Sequence, residues 1–160
     1  MLQVEIIYLG GEKESYYSDA AKEYIKRLSG LCSFSEKVIK DEKLPSEPND
    51  TQISAALEKE AERVLSAIRP SHFKIALCIE GKQLSSEELA GTLEDIPLRG
   101  FSGVTFIIGS SFGLSERVKK ACDMRISMSK MTFPHRLARI MLLEQIYRGF
   151  SIVQGRKYHK

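Results

Sequence analysis

Five short apolar runs, each separated from the next by a segment of helical period, constrain the fold of this chain more than any other feature. The runs cover residues 2–9, 34–39, 73–79, 104–108 and 124–128. Between them, residues 16–28 place Tyr17, Ala20, Ala21, Tyr24, Ile25 and Leu28 on one helical stripe. Residues 51–68 do the same with Ile53, Ala56, Leu57, Ala61, Val64, Leu65 and Ile68, with Asp50 or Thr51 as the expected cap. Ser85 and Glu88 have capping-box spacing at the start of a third helix, and two further helices are expected over 115–122 and 134–150. Gly10 with Gly11, and Gly81, read as turns after their strands. Strands that alternate with helices predict an α/β fold: a mainly parallel sheet with helices on both faces.

With 160 residues, 42% of them hydrophobic, the chain is long enough for one core and short for two, so a single domain over 1–160 is expected. No run approaches the roughly 20 apolar residues that span a bilayer, and the N-terminus lacks the pattern of a secretory signal. A cytoplasmic protein with no membrane contact is the expectation. Cys32, Cys78 and Cys122 are odd in number and far apart, which suits reduced, small hydrophobes better than a disulfide or zinc framework. Charge is unevenly spread. Residues 113–160 hold eleven Lys and Arg against three Asp and Glu, a net of +8, and the whole chain is +3, so the first 112 residues carry −5. The last third is the candidate surface for a polyanion, although solvated helix faces would give the same count.

That last third also holds the candidate chemistry. A strand ends in the turn IIGSSFGLSE, where Gly109 and Gly113 permit tight turning or close approach of backbone to a ligand. The next strand runs into Ser129, Lys130, Thr132 and Pro134 with no compact turn. Loops at the ends of neighbouring strands are where open α/β sheets bind ligands. Alone, the two glycines read as an ordinary strand-to-helix turn. A phosphate cradle lacks both the GxxxxGK[ST] lysine and the GxGxxG spacing.

Taken together, FIIGSSFGLSE, ISMSKMTFPHRLARIMLLEQIYRGF and the terminal YHK resemble the RlmH family of SPOUT methyltransferases. The likeness extends more weakly over the whole chain, through the opening strand and its glycine turn, IEGK and SSEELA. The resemblance implies a SPOUT fold with a C-terminal trefoil knot, working as a homodimer, with S-adenosyl-L-methionine as cofactor and no metal. It implies methyl transfer to N3 of a pseudouridine in a stem-loop of 23S ribosomal RNA within the assembled ribosome, and no role on DNA. By the same likeness Leu77, Gly109, Met128, Ser129, Lys130, Met131, Thr132 and Phe133 line the cofactor pocket, and Tyr158 and His159 belong to the catalytic centre. Arg148, Arg156 and Lys157 are the candidate RNA contacts.

The residue chemistry agrees. A sulfonium is an activated methyl donor, so the protein must mainly align the reactants and help an imide proton leave. His159 is the candidate proton acceptor, and Tyr158 suits stacking on a splayed base. His135, at a helix start, suits a structural hydrogen bond as well as a functional one. Arg136, Arg139 and Arg148 lie on a helix apolar enough to be largely buried, so they are expected to face a phosphate or an interfacial carboxylate. One position departs from the family pattern: Ser110 stands where a second glycine is usual. If that site needs φ > 0, cofactor affinity suffers, and the alternative reading is a catalytically silent ribosome-binding or assembly factor with the same fold.

Overall fold

The computed structural model describes residues 1–158. It contains a five-stranded sheet in which every pairing is parallel. In chain order the elements are β1 (Gln3–Leu9), α1 (Ser15–Leu28), β2 (Ser33–Ile39), α2 (Asp50–Ala67), β3 (His72–Gln83), α3 (Ser86–Leu98), β4 (Gly103–Ile108), α4 (Glu116–Ala121), β5 (Met124–Ser127) and α5 (His135–Val153). The strand order is β2-β1-β4-β3-β5. The central strands β1 and β4 are buried along nearly their whole length, which is why they read as continuous apolar runs and not as alternations.

The two faces of the sheet are covered unequally. Val4, Ile6 and Tyr8 of β1, with Phe73, Ile75, Val104, Phe106, Ile108 and Ile126, pack against Leu28 of α1, Leu93 and Ile96 of α3, and Leu142, Leu143 and Ile146 of α5. The opposite face is smaller. Ile7, Leu9, Ala76 and Ile107 pack there against Ala61 and Val64 of α2 and Val118 of α4. Glu5 and Thr105 share a buried polar network with His72, whose Nδ1 lies 2.9 Å from the Thr105 hydroxyl.

Two sequence expectations are corrected here. The cap of α2 is Asn49, one residue before Asp50: its side chain accepts the Gln52 N–H and Gln52 answers from N3 in a full capping box. Gly81 is not a turn after β3 but lies inside it. Ile126 of β5 pairs with both Leu77 and Lys82, so β3 detours around it, and a Cβ on Gly81 would lie 2.5 Å from the Ile126 carbonyl carbon. Glycine is required there by a close backbone approach. The Ser85–Glu88 capping box is present as expected. Cys32, Cys78 and Cys122 are free thiols.

Candidate functional site

The carboxyl ends of β3, β4 and β5 open into a cavity of about 340 Å³. Its walls come from three segments: Leu77 to Glu80 on β3, Ile108 to Leu114 after β4, and Met128 to Phe133 after β5. His135 and Ala138 of α5 close one side. Of the eight residues expected to line a cofactor pocket, Leu77, Gly109, Met128, Ser129, Met131, Thr132 and Phe133 line this cavity. Lys130 is the exception: it is exposed and does not line the cavity.

Backbone, more than side chains, sets the shape. The turn after β4 is closed by the Gly113 N–H donating to the Ser110 carbonyl at 2.9 Å, with Gly113 at φ +79°. Gly109 itself has no positive φ, but a Cβ there would lie 2.3 Å from the Gly113 carbonyl oxygen. Its glycine is needed for space, not for conformation. Among the described residues no non-glycine has positive φ, so Ser110 adopts ordinary backbone and the lost second glycine strains nothing. The Ser110 hydroxyl donates to Glu60 Oε1 on α2 at 3.1 Å. The loop after β5 is held from within: the Ser127 hydroxyl donates to the Ser129 carbonyl at 2.8 Å, and the Met131 N–H donates to the Ser129 hydroxyl at 3.0 Å.

The cavity is apolar within and carries few charges at its edge. Ile79 on β3, Phe112 after β4 and Met131 after β5 stand exposed around its mouth. Lys119 pairs with Glu80, and the lysine's hydrogen bond holds the Glu80 carboxyl below its ordinary range. Burial raises the Cys78 thiol and lowers His135, whose ring packs 6.0 Å from that of Tyr8. Cys78, Glu80, Phe112 and Lys119 were not expected here from sequence, and His135 was singled out there only as suited equally to a structural hydrogen bond and a functional role. Only the continuation of β3 beyond Ile79 would have pointed to Glu80.

The arginines of α5 behave differently from expectation. Arg139 does not reach a partner molecule: its Nε and Nη2 donate to the two oxygens of Glu36 at 2.8 and 2.5 Å, and its guanidinium lies 5.1 Å from the centre of the Tyr8 ring. Burial pushes the Tyr8 hydroxyl up to about 12. Arg136 donates to the Gly11 carbonyl and pairs with Glu12 and Glu14. Arg117, Lys119 and Arg125 are paired as well, with Glu62 and Glu58, Glu80, and Glu116 respectively. The basic excess of the last third is therefore mostly met by acidic residues, many of them from the first 112. Among the described residues Lys120, Lys130, Arg156 and Lys157 have no ion pair.

A second cavity, about 520 Å³, lies between α1, the start of α3, the end of β5 and the outer side of α5. Tyr24, Leu84, Leu89, Met128, Ile140, Met141 and Glu144 are among its walls, so Met128 touches both cavities. The tail folds back beside it. Tyr158 donates from its hydroxyl to Glu144 Oε1 at 3.2 Å and meets the Tyr147 ring edge-on at 4.7 Å. Arg148 donates to the same Glu144 oxygen at 2.7 Å and lies 4.7 Å from the Tyr158 ring centre. Glu144, given no functional role from sequence, thus organises two of the candidate functional side chains. Within one chain these lie by the second cavity, and Tyr158 is not among the residues of the glycine-turn cavity. His159 lies outside the described residues.

Comparison with known proteins agrees with this architecture. Residues 2–159 match the family described as "Predicted SPOUT methyltransferase". The ribosomal RNA large subunit methyltransferase H of Streptococcus thermophilus is 46% identical over 159 residues, covering 99% of this chain and all of the relative. A Methanococcus maripaludis protein, named provisionally for the same activity, is 47% identical with the same coverage. The fold alone is shared with a crystal structure of a probable methyltransferase from Bordetella pertussis Tohama I, at TM-score 0.58 and 16% identity over 93% of this chain and 95% of that one. The chain belongs to the SPOUT methyltransferases, in the group of the ribosomal RNA large subunit methyltransferase H proteins.

Proposed function

We propose that the chain methylates N3 of a pseudouridine in a stem-loop of 23S ribosomal RNA, on the assembled ribosome in the cytoplasm, as a homodimer. The observation that carries this reading is the glycine-turn cavity, in which seven residues singled out in three separate stretches of sequence meet at the strand ends. Its volume falls in the range of about 300–1,000 Å³ usual for small-molecule sites. Leu77, Met128, Met131 and Phe133 suit the faces of a flat adenine, and the loop backbone at Gly109 and 128–133 suits its polar edge. Bound there, S-adenosylmethionine supplies a methyl group already activated on sulfur. No metal is needed for that chemistry.

What remains for the chain's own residues is alignment and one proton. Tyr158, pinned by Glu144 and Tyr147, is placed to orient or stack on the target base, and His159 is assigned as the proton acceptor. Arg148, Arg156 and Lys157 are assigned to phosphates; Arg156 and Lys157, without ion pairs among the described residues, are the freer two. Because Tyr158 lies beside the outer cavity of its own chain, a second copy that brings this tail to the partner's glycine-turn cavity would complete the site. The half-buried Ile140 and Met141 around that outer cavity support such an interface. The knotted C-terminal segment is part of the same reading, and membership of the SPOUT family supports it.

The silent-factor alternative rested on Ser110, and ordinary backbone at that position removes its physical reason. Mass spectrometry of 23S rRNA from cells with and without the gene tests the proposal. A single methylated pseudouridine present only with the gene is expected. Identical rRNA in both would leave the silent-factor reading standing.

A further inference from the structure

Glu60 is only 4% exposed, yet the residues assigned to cofactor and RNA do not include it. It sits on α2, and the charged groups that act on it are the carboxylates of Asp41 and Glu42, with burial the largest influence raising its own carboxyl. Burying a carboxylate without a cation is unfavourable unless hydrogen bonds hold it. Here they do, and both come from outside α2. Oε1 accepts the Ser110 hydroxyl at 3.1 Å, and Oε2 accepts the Glu42 backbone N–H at 2.9 Å.

Ser110 is consequently fixed at two points. Its carbonyl closes the turn by accepting the Gly113 N–H, and its side chain anchors that turn to α2. A glycine at 110 would keep the first bond and lose the second. From this geometry we infer that Glu60 is a positioning residue for the cofactor site: acting through Ser110, it holds the β4–α4 turn in its binding-competent position. The Glu42 contact ties the same carboxylate to the segment between β2 and α2. Holding the turn before a ligand arrives removes an ordering cost from binding. The tether therefore acts on affinity and not on the methyl-transfer step. The inference rests on the reading of the glycine-turn cavity as the S-adenosylmethionine site.

Calorimetry with S-adenosylhomocysteine on the wild-type protein, Ser110→Ala, Ser110→Gly, Glu60→Ala and the double variant Glu60→Ala/Ser110→Ala tests it. Loss of one hydrogen bond to a charged acceptor is expected to weaken binding about fivefold in Ser110→Ala, with the same loss in Ser110→Gly. The double variant should bind no more weakly than Glu60→Ala, because both changes cut one link. In methylation assays on ribosomes, Ser110→Ala should raise KM for S-adenosylmethionine about fivefold and leave kcat within about twofold. That split is not what general loss of structure produces. Should Glu60→Ala not fold, the two Ser110 variants still decide. Wild-type binding with undiminished affinity in Ser110→Ala, or independent addition of the two losses, overturns the inference alone. A wild-type protein that binds no S-adenosylhomocysteine overturns the cofactor reading and this inference with it.

Discussion

The two cavities that meet at Met128 are built by different means. The glycine-turn cavity is walled largely by backbone at the strand ends, and its shape depends on Gly109, Gly113 and hydrogen bonds internal to two loops. The outer cavity is walled by side chains standing on α1, α3 and α5, with the Glu144–Tyr158–Arg148 cluster at its edge. The first draws its walls from one chain. The second offers apolar helix surface that a monomer leaves open. On the proposed reading the contrast amounts to a division of labour: methyl-donor binding would be a property of the subunit, and substrate handling a property of the assembly.

The sharpest way to break that division is Gly109→Val. Because even the first side-chain carbon would lie 2.3 Å from the Gly113 oxygen, the turn must move, and both the cavity and its packing on Leu114 are lost with it. We expect no measurable S-adenosylhomocysteine binding by calorimetry, together with a destabilisation of about 3 kcal/mol or more in urea unfolding. Cavity and fold fail together here, since the glycine makes room for the close backbone contact with Gly113 that shapes both. A stable variant with undiminished binding would remove Gly109 from the site.

Met141→Glu tests the other cavity. Its side chain is half-buried and lines the outer groove without touching the glycine-turn one. A carboxylate there should disperse the dimer, seen as monomer mass in light scattering at micromolar concentration. Melting and cofactor affinity should stay near wild type, and ribosome methylation should fall about a hundredfold or more. Deleting 158–160 should give the same loss of turnover with the dimer intact. A monomeric variant that methylates at the wild-type rate would show each subunit to be self-sufficient.

Most of the glycine-turn cavity was legible in the sequence, and the outer cluster was not. Parallel strands buried on both faces announce themselves as apolar runs, and the loops at their ends carry glycine and serine for reasons of backbone geometry. Gly81 was misread because a glycine after an apolar run looks the same whether it turns the chain or lets another strand approach. Arg136 and Arg139 were misread because their partners, Glu12, Glu14 and Glu36, lie more than a hundred residues earlier, where spacing carries no information. Arg117 and Lys119 pair over shorter but still non-local separations, with Glu62 and Glu80, and this hid more of the neutralisation of the basic C-terminal third. Glu144 was hidden in a different way: at i−4 from Arg148 it reads as a helix-surface pair, and only the returning tail gives it a second bond.

Arg148→Ala is expected to have a smaller effect than either change above. Its guanidinium is shared between Glu144 and the face of Tyr158, so removal loosens the tail as well as any phosphate contact. Ribosome affinity should weaken about tenfold at low salt. The slope of log affinity against log salt should become shallower by roughly one phosphate's worth if the contact is made. An unchanged slope with reduced turnover would assign Arg148 wholly to holding Tyr158.

The smallest expected signal separates the two regions without any mutation. His135 lines the glycine-turn cavity, and burial first, then Arg136, lowers it from the ordinary value of 6.5 against the opposing pull of Asp41 and Glu14. His72 is lowered too, by burial among Thr105 and Gln3 at the far end of the sheet. For both, the unfolded chain takes up a proton before the folded one does as pH falls through 6.5, so each histidine's contribution to stability is lost on acidification below that point. Glu12 and Glu60, raised by burial, oppose this, because the folded state binds their protons first. The two kinds of group thus act in opposite directions, and ring-proton NMR titration, which follows each histidine separately, is the better measurement. Both midpoints should lie below 6.5 in the free protein. Adding S-adenosylhomocysteine should lower the His135 midpoint further as its surroundings dry, and leave His72 unmoved. A His135 midpoint indifferent to the ligand would place the adenosyl group away from α5, against the walls from β3, the β4 turn and the loop after β5.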